Sequence, residues 1–217
     1  LRGSSFLELM APASRGEARL SGRARIEDLI ERRRLGFNPT IDETVRQVMK
    51  EGKLHLVGLL SSTGLHGHVD HLHALIEHFA FNELDVVVHG IIDGRHGAPR
   101  SAFSDVDRFL MHYAEQPRVT LGTLSGFNYA LDADGRWDRT YRAFHAMVRD
   151  TVLGDPAPRE DSALDALRLA YQRGIEDAWL EPTRIGDYKG FEGNFVSAFG
   201  SGSPEWTWTG FDVGFVA

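Results

Sequence analysis

Leu54-His-Leu-Val-Gly-Leu-Leu-Ser-Ser-Thr-Gly-Leu-His-Gly-His-Val-Asp-His-Leu72 and Val86-Val-Val-His-Gly-Ile-Ile-Asp-Gly-Arg-His-Gly-Ala-Pro-Arg100 decide the fold. Each begins as an apolar run and ends in a glycine-rich turn that carries polar side chains. A nearly continuous apolar run, here Leu54 to Leu60 and Leu84 to Ile92, fits a strand buried on both faces, as in parallel sheets. Helical spacing follows the first turn, with Leu72, Leu75, Ile76 and Phe79 on one face of Val69 to Phe81. In open α/β sheets, ligands bind at the carboxyl ends of the strands. That rule puts His66, His68, Asp93, Arg95 and His96 where chemistry can happen.

Working outward, the pattern continues. Ser104 to Glu115 carries Val106, Phe109, Leu110 and Tyr113 at helical spacing, and Arg118 to Leu124 reads as a third strand. Trp137 to Leu153 reads as a long helix, and Ser162 to Arg173 as another, ended by Gly174. Upstream, Ala24 to Arg34 is a short charged helix. Ile41 to Lys50 is a second one, with Thr40 as its N-cap, Glu43 completing a capping box, and Gly52 closing it. Asp155 to Arg159 reads as a linker. Phe195 to Phe199 and Asp212 to Val216 are candidate strands in a Gly-, Ser-, Phe- and Trp-rich tail. Strand and helix alternation implies an α/β fold: a mainly parallel sheet with right-handed crossovers, flanked by helices. Residues 1–22 read as a linker or irregular segment, and residues 23–217 as one domain.

The chain has 217 residues, enough for one α/β domain with a sizeable core. A formal net charge of −7 argues against nucleic acid as the main partner. There is no cysteine, which excludes a disulfide framework and thiolate chemistry. No apolar run approaches the roughly 20 residues that span a bilayer. The chain starts on Leu1 rather than Met and ends on the strand-like Phe211 to Ala217, so both ends read as cut from a longer protein.

Several clusters have competing readings. His66, His68, His71, His73 and His78, with Asp70, have the residue types of a zinc or manganese site, but most of them suit capping or solvated roles instead. Arg95 suits a bidentate contact to phosphate or carboxylate, or else a loop ion pair with Asp93. Ser61 and Ser62 lie close to His66 in sequence, yet nothing in the sequence places a third residue to orient such a base. Asp132 and Asp134 read as caps for the following helix. Trp206 and Trp208 could form an aromatic platform, although core packing is the commoner role for such a pair.

Three ordered blocks then carry a resemblance. They are Leu54 to Leu72, Asp93-Gly94-Arg95, and Ser125-Gly126-Phe-Asn-Tyr129-Ala-Leu-Asp132-Ala-Asp134-Gly-Arg136-Trp137. Together they resemble the cofactor-independent phosphoglycerate mutases over roughly residues 50–181. The resemblance implies an inserted phosphotransferase, or substrate-binding, domain within an alkaline-phosphatase-superfamily isomerase of cytoplasmic glycolysis. It implies two manganese ions and a phosphorylated serine in the missing phosphatase-like domain, with no metal and no cofactor in this one.

By position, the resemblance assigns His66 to the substrate phosphate and Arg95 to the glycerate, with Asp93 and His96 in the same substrate-binding loop. It also marks departures. His96 stands where the family has a catalytic aspartate, Phe127 stands at an arginine position, and Ala133 stands at another. Two missing arginines remove charge-assisted contacts of about 1.5–3 kcal/mol each to an anion. The implied function is substrate binding in the interconversion of 3- and 2-phosphoglycerate, with this fragment inactive by itself. Its implied partners are a small phosphorylated acid and the missing domain, with no nucleic acid or membrane. The alternatives are a different phosphoryl or phosphonate substrate, for which a pH response through His96 would be a consequence, or a non-catalytic binding module.

Overall fold

The computed structural model describes residues 22–51, 53–65, 67–148, 157–190, 196–199 and 213–216. The elements run α1 (Gly22–Glu31), α2 (Pro39–Glu51), β1 (Lys53–Leu59), α3 (Val69–Phe81), β2 (Asp85–Ile92), α4 (Ala102–His112) and β3 (Val119–Gly126). They continue with α5 (Phe127–Ala130), α6 (Trp137–Met147), β4 (Arg159–Glu160), α7 (Ala163–Gln172), β5 (Thr183–Ile185), β6 (Val196–Phe199) and β7 (Val213–Val216). Short 3-10 turns occupy Leu35–Phe37 and Asp177–Trp179.

Among the described residues, five strands form one sheet in the order β1-β2-β3-β5-β4. β1, β2 and β3 pair in parallel, and so do β4 and β5, while β5 runs antiparallel to β3. The α/β class with a mainly parallel sheet is therefore what the alternation implies. β6 and β7 pair with each other in parallel.

One face of the sheet carries the apolar core. Leu54, Leu56, Val86, Val88, Ile92 and Leu124 point to that face and meet Leu72, Ile76 and Phe79 of α3, Val106 and Phe109 of α4, and Leu167 of α7. Each of these aliphatic or aromatic side chains contributes about 1.5–3 kcal/mol of burial.

The opposite face is also buried but polar. His55 Nδ1 lies 2.9 Å from His89 Nε2, and His89 Nδ1 lies 2.9 Å from Thr123 Oγ1, so a hydrogen-bonded chain crosses three strands. Arg184 of β5 donates to the main-chain oxygens of His145, Ala146 and Val148 at the end of α6. Those carbonyls have no partner within a helix, and a cation also suits the helix's negative end.

A β-bulge allows the two faces to coexist. The register of β3 against β2 shifts between the partners of Val88 and His89, so Val88 faces Leu121 but His89 faces Thr123. The extra residue moves Thr123 to the polar face and returns Leu124 to the apolar one. It falls at Gly122, where an added Cβ would lie 2.7 Å from Val87 Cγ1 and 3.2 Å from the Tyr188 ring.

Four local expectations are corrected. The helix α2 starts at Pro39, not after Thr40: proline suits the first helical position because it lacks only an N–H that has no helical partner there. The helix α1 ends at Glu31 rather than Arg34, because Arg33 turns with φ 53°. Arg159, assigned to a linker, opens β4, and Thr183–Ile185 forms β5, which periodicity did not single out. The helix α6 ends at Met147, not Leu153. Residues 1–21, Gly52 and the Trp206–Trp208 segment lie outside the described residues.

Candidate active site

The loops after β1, β2 and β3 meet at the carboxyl end of the parallel strands. At their centre is Asp93, buried at 7% exposure. Its Oδ2 accepts from Thr63 Oγ1 at 2.9 Å and from Ser61 Oγ at 3.4 Å. Its Oδ1 accepts from the Arg95 main-chain N–H at 3.2 Å and faces His96 Nδ1 at 2.9 Å. Burial pushes this carboxyl up, but the hydrogen bonds from Thr63, His96 and the Arg95 N–H together hold it below its ordinary value. An ionised carboxylate only accepts, so the hydrogen-bond network assigns a proton to Nδ1 of His96.

Arg95 does not pair its guanidinium with Asp93. Instead its Nε donates to Asn128 Oδ1 at 2.7 Å, and its Cζ sits 5.0 Å from the centre of the Phe127 ring. The His96 ring meets the same Phe127 edge-on at 6.0 Å. Phe127 thus forms a wall shared by the two polar side chains, where the resemblance puts an arginine. Ala133 lies on the surface.

The 3-10 turn Asp177–Trp179 braces these loops from below. Gly94 has φ +62°, and a Cβ there would run into Ala178 N and lie 2.6 Å from Asp177 Cβ. Only glycine combines that backbone angle with that approach. The Gly126 N–H donates to Leu180 O at 2.9 Å. Asp177 itself is buried and accepts from the Ala102 N–H at the start of α4 and from Tyr171 Oη.

Of the four residues assigned to substrate, Asp93, Arg95 and His96 come together in one loop, while His66 lies outside the described residues. The other histidines have separate hydrogen-bond and ion-pair partners, although the His68 and His71 rings lie 6.1 Å apart. His68 Nδ1 accepts from the Asp70 N–H and caps α3. His71 faces Glu27, with 4.0 Å between Nε2 and Oε1. His73 Nδ1 lies 2.8 Å from Tyr113 Oη, and burial lowers the histidine pKa and raises that of the tyrosine. His78 packs beside Gly36 and Phe79.

Among the described residues, no group of three or more His, Asp or Glu could hold a metal ion. Neither Ser61 nor Ser62 bonds a histidine there: Ser61 serves Asp93 and Thr63, and Ser62 faces Asp105. Asp132 takes the Arg136 N–H at 2.6 Å and Arg139 Nη1 at 3.2 Å, an anchor at the start of α6.

Sequence reasoning did not single out Thr63 or Asn128. Neither residue type marks a site by itself. Their only signal is position, each just beyond a buried strand.

Comparison with known proteins gives the family of the chain. The family model for the BPG-independent PGAM N-terminus matches residues 26–198. A 2,3-bisphosphoglycerate-independent phosphoglycerate mutase from Acaryochloris marina is 42% identical over 166 residues, covering 74% of this chain and 30% of that protein. One from Cereibacter sphaeroides is 40% identical over 154 residues, covering 70% of this chain and 29% of its own length. The chain thus spans about three tenths of these curated relatives. A crystal structure of Leishmania mexicana phosphoglycerate mutase at low cobalt concentration shares the fold, with a TM-score of 0.77 and 21% identity over 92% of this chain and 41% of that one. By its family model and these relatives, the chain belongs to the BPG-independent phosphoglycerate mutase N-terminal family.

Proposed function

We propose that this chain is the substrate-binding domain of a metal-dependent phosphoglycerate-mutase-like enzyme that interconverts 3- and 2-phosphoglycerate. The observation that carries this reading is the convergence of Asp93, Arg95, His96 and Asn128 at the carboxyl ends of three strands, in a chain of this family. On this reading Arg95 holds the glycerate carboxylate, and His66 steadies the phosphoryl group. The phosphorylated serine and two manganese ions belong to parts of the protein outside this chain. Glycolysis in the cytoplasm and a small phosphorylated acid as substrate follow from the same reading, as does the inactivity of this fragment by itself.

The chemistry asked of this domain is holding rather than bond-making. The three-carbon acid stays bound while the phosphoryl group leaves one hydroxyl and returns to another. A closed cleft lowers loss to water during that interval. His96, its Nδ1–H directed to Asp93, lies in the same loop as Arg95 and helps to shape the place where the acid is held.

A second reading has its own support. Phe127 is 5% exposed and apolar beneath Arg95, so the wall of the site supplies no second cation there. That favours a less charged acceptor, such as another phosphoryl ester or a phosphonate.

Phosphorus NMR on the full-length protein with manganese and 3-phosphoglycerate separates the readings. Appearance of 2-phosphoglycerate is the expected outcome. Inorganic phosphate alone, or turnover of another ester only, supports the second reading. Absence of any turnover across a panel of esters and phosphonates overturns both and leaves a non-catalytic binding module.

A further inference from the structure

We infer that Asn128 is the positioning residue of the site: it aims Arg95, and through Arg95 it sets the affinity for an anion. This rests on the reading of Arg95 as the anion-holding side chain. A free arginine on a loop samples many rotamers, and ordering it on binding costs affinity. Here two of its surfaces are already engaged. The Nε–H points to Asn128 Oδ1 at 2.7 Å, and the flat face lies over Phe127 at 5.0 Å. The Nη1 and Nη2 nitrogens have no hydrogen-bond or ion-pair partner among the described residues. The edge left over is the two-nitrogen fork that matches a carboxylate or phosphate.

Asn128 is fit for this role. It is 4% exposed, in the first turn of α5 directly after β3. Its backbone cannot drift, because neighbouring Gly126 is pinned to Leu180 O and abuts Ala178. Its amide is neutral. An aspartate in the same place would hold the Nε–H as well but would cancel the charge that the ligand needs. A neutral acceptor fixes direction and leaves the full positive charge for the anion. The ligand class is a single carboxylate or phosphate group taken through two parallel N–H bonds.

The test uses the full chain with 3-phosphoglycerate and inorganic phosphate as probes. Calorimetry measures affinity, nitrogen-15 NMR follows the Arg95 Nε–H, and thermal unfolding monitors folding. The variants are Asn128→Ala, Asn128→Asp, Arg95→Ala and the Asn128→Ala/Arg95→Ala double variant. The wild type should show a slowly exchanging Nε–H that Asn128→Ala loses. Asn128→Ala should weaken 3-phosphoglycerate binding by about tenfold, the size of one hydrogen bond to a charged group. Asn128→Asp should keep the Nε–H signal, keep the unfolding midpoint and still bind the probe more weakly. In the Arg95→Ala background the Asn128 change should have no further effect.

An additive effect in that background overturns the inference, because Asn128 then acts independently of Arg95. So does unchanged affinity once the Nε–H signal is lost. If the wild type shows the protected Nε–H but binds neither probe, the contact is structural only, and the anion-holding reading fails with it. Weak binding with no Asn128-dependent Nε–H signal overturns the positioning role alone.

Discussion

The two faces of the sheet are buried to similar depth by opposite means. On one, Leu54, Leu56, Val86, Val88 and Leu124 pack against α3, α4 and α7. On the other, His55, His89, Thr123 and Arg184 bury polar groups that must each be satisfied. Apolar packing is non-directional, so any side chain of similar volume serves. A buried hydrogen-bond chain is directional, and losing one member leaves another exposed to the full desolvation cost. The apolar face therefore sets how stable the sheet is. The polar face sets under which conditions it is stable, and which register β3 must adopt.

The comparison can be broken first on the apolar side. Phe79 is fully buried between α3 and the sheet, so Phe79→Ala should cost about 3–5 kcal/mol, read as a lower urea midpoint at unchanged slope. The loss should be only slightly smaller at pH 5 than at pH 8: the His78 ring packs edge-on against Phe79, and the variant relieves the burial that lowers its pKa. A strong pH dependence in this variant would mean that the two faces are not separable.

The polar side should answer to acid instead. Burial, with the nearby Lys53 charge, lowers His55 to about 4, and burial beside His55 lowers His89 well below 6.5. Both rings are thus neutral in the fold, while the unfolded chain takes up protons below pH 6.5. Their contribution is fully present above pH 6.5 and is lost as the pH falls toward about 4. On the order of 2–3 kcal/mol is at stake for His55. Chemical denaturation at a series of pH values should show this decline, and His55→Gln should flatten it. A profile that stays level from pH 7 to pH 4.5 would rule out neutral buried histidines.

The smallest expected effect sharpens the comparison at its seam. Gly122→Ala puts a methyl between Val87 and the Tyr188 ring and should cost about 1–3 kcal/mol. Because the bulge decides which face receives Thr123, this variant should also perturb the His89 ring signals in NMR. An unperturbed His89 with full stability would show that the register does not depend on this glycine.

The apolar half of this architecture was open to sequence reasoning. Continuous runs at Leu54 and Leu84 announced buried parallel strands, and the glycine turns after them announced the loops that bring Asp93, Arg95 and His96 together. The polar half was not. His55 and His89 read as interruptions in apolar runs, because nothing in a local pattern pairs residues on neighbouring strands. The strands β4 and β5, of two and three residues, are too short to show a period. Arg184 resembles any loop arginine until its three carbonyl acceptors are seen. Asn128 carried no signal either, since an amide gains a role only from the side chain it meets. The cluster of histidines after Leu65 looked the most like chemistry, yet the described members cap, pack and scatter.

The turn that braces the site comes later in the chain than the loops it holds. In vectorial synthesis the Asp93 and Asn128 loops emerge while Asp177 and Ala178 are still unmade. The three parallel strands can pair during that interval, but the pocket-forming turns have nothing beneath them. Translation must therefore pass Leu180 before the candidate site has its brace, and a message truncated between Met147 and Asp177 would yield the strands without it.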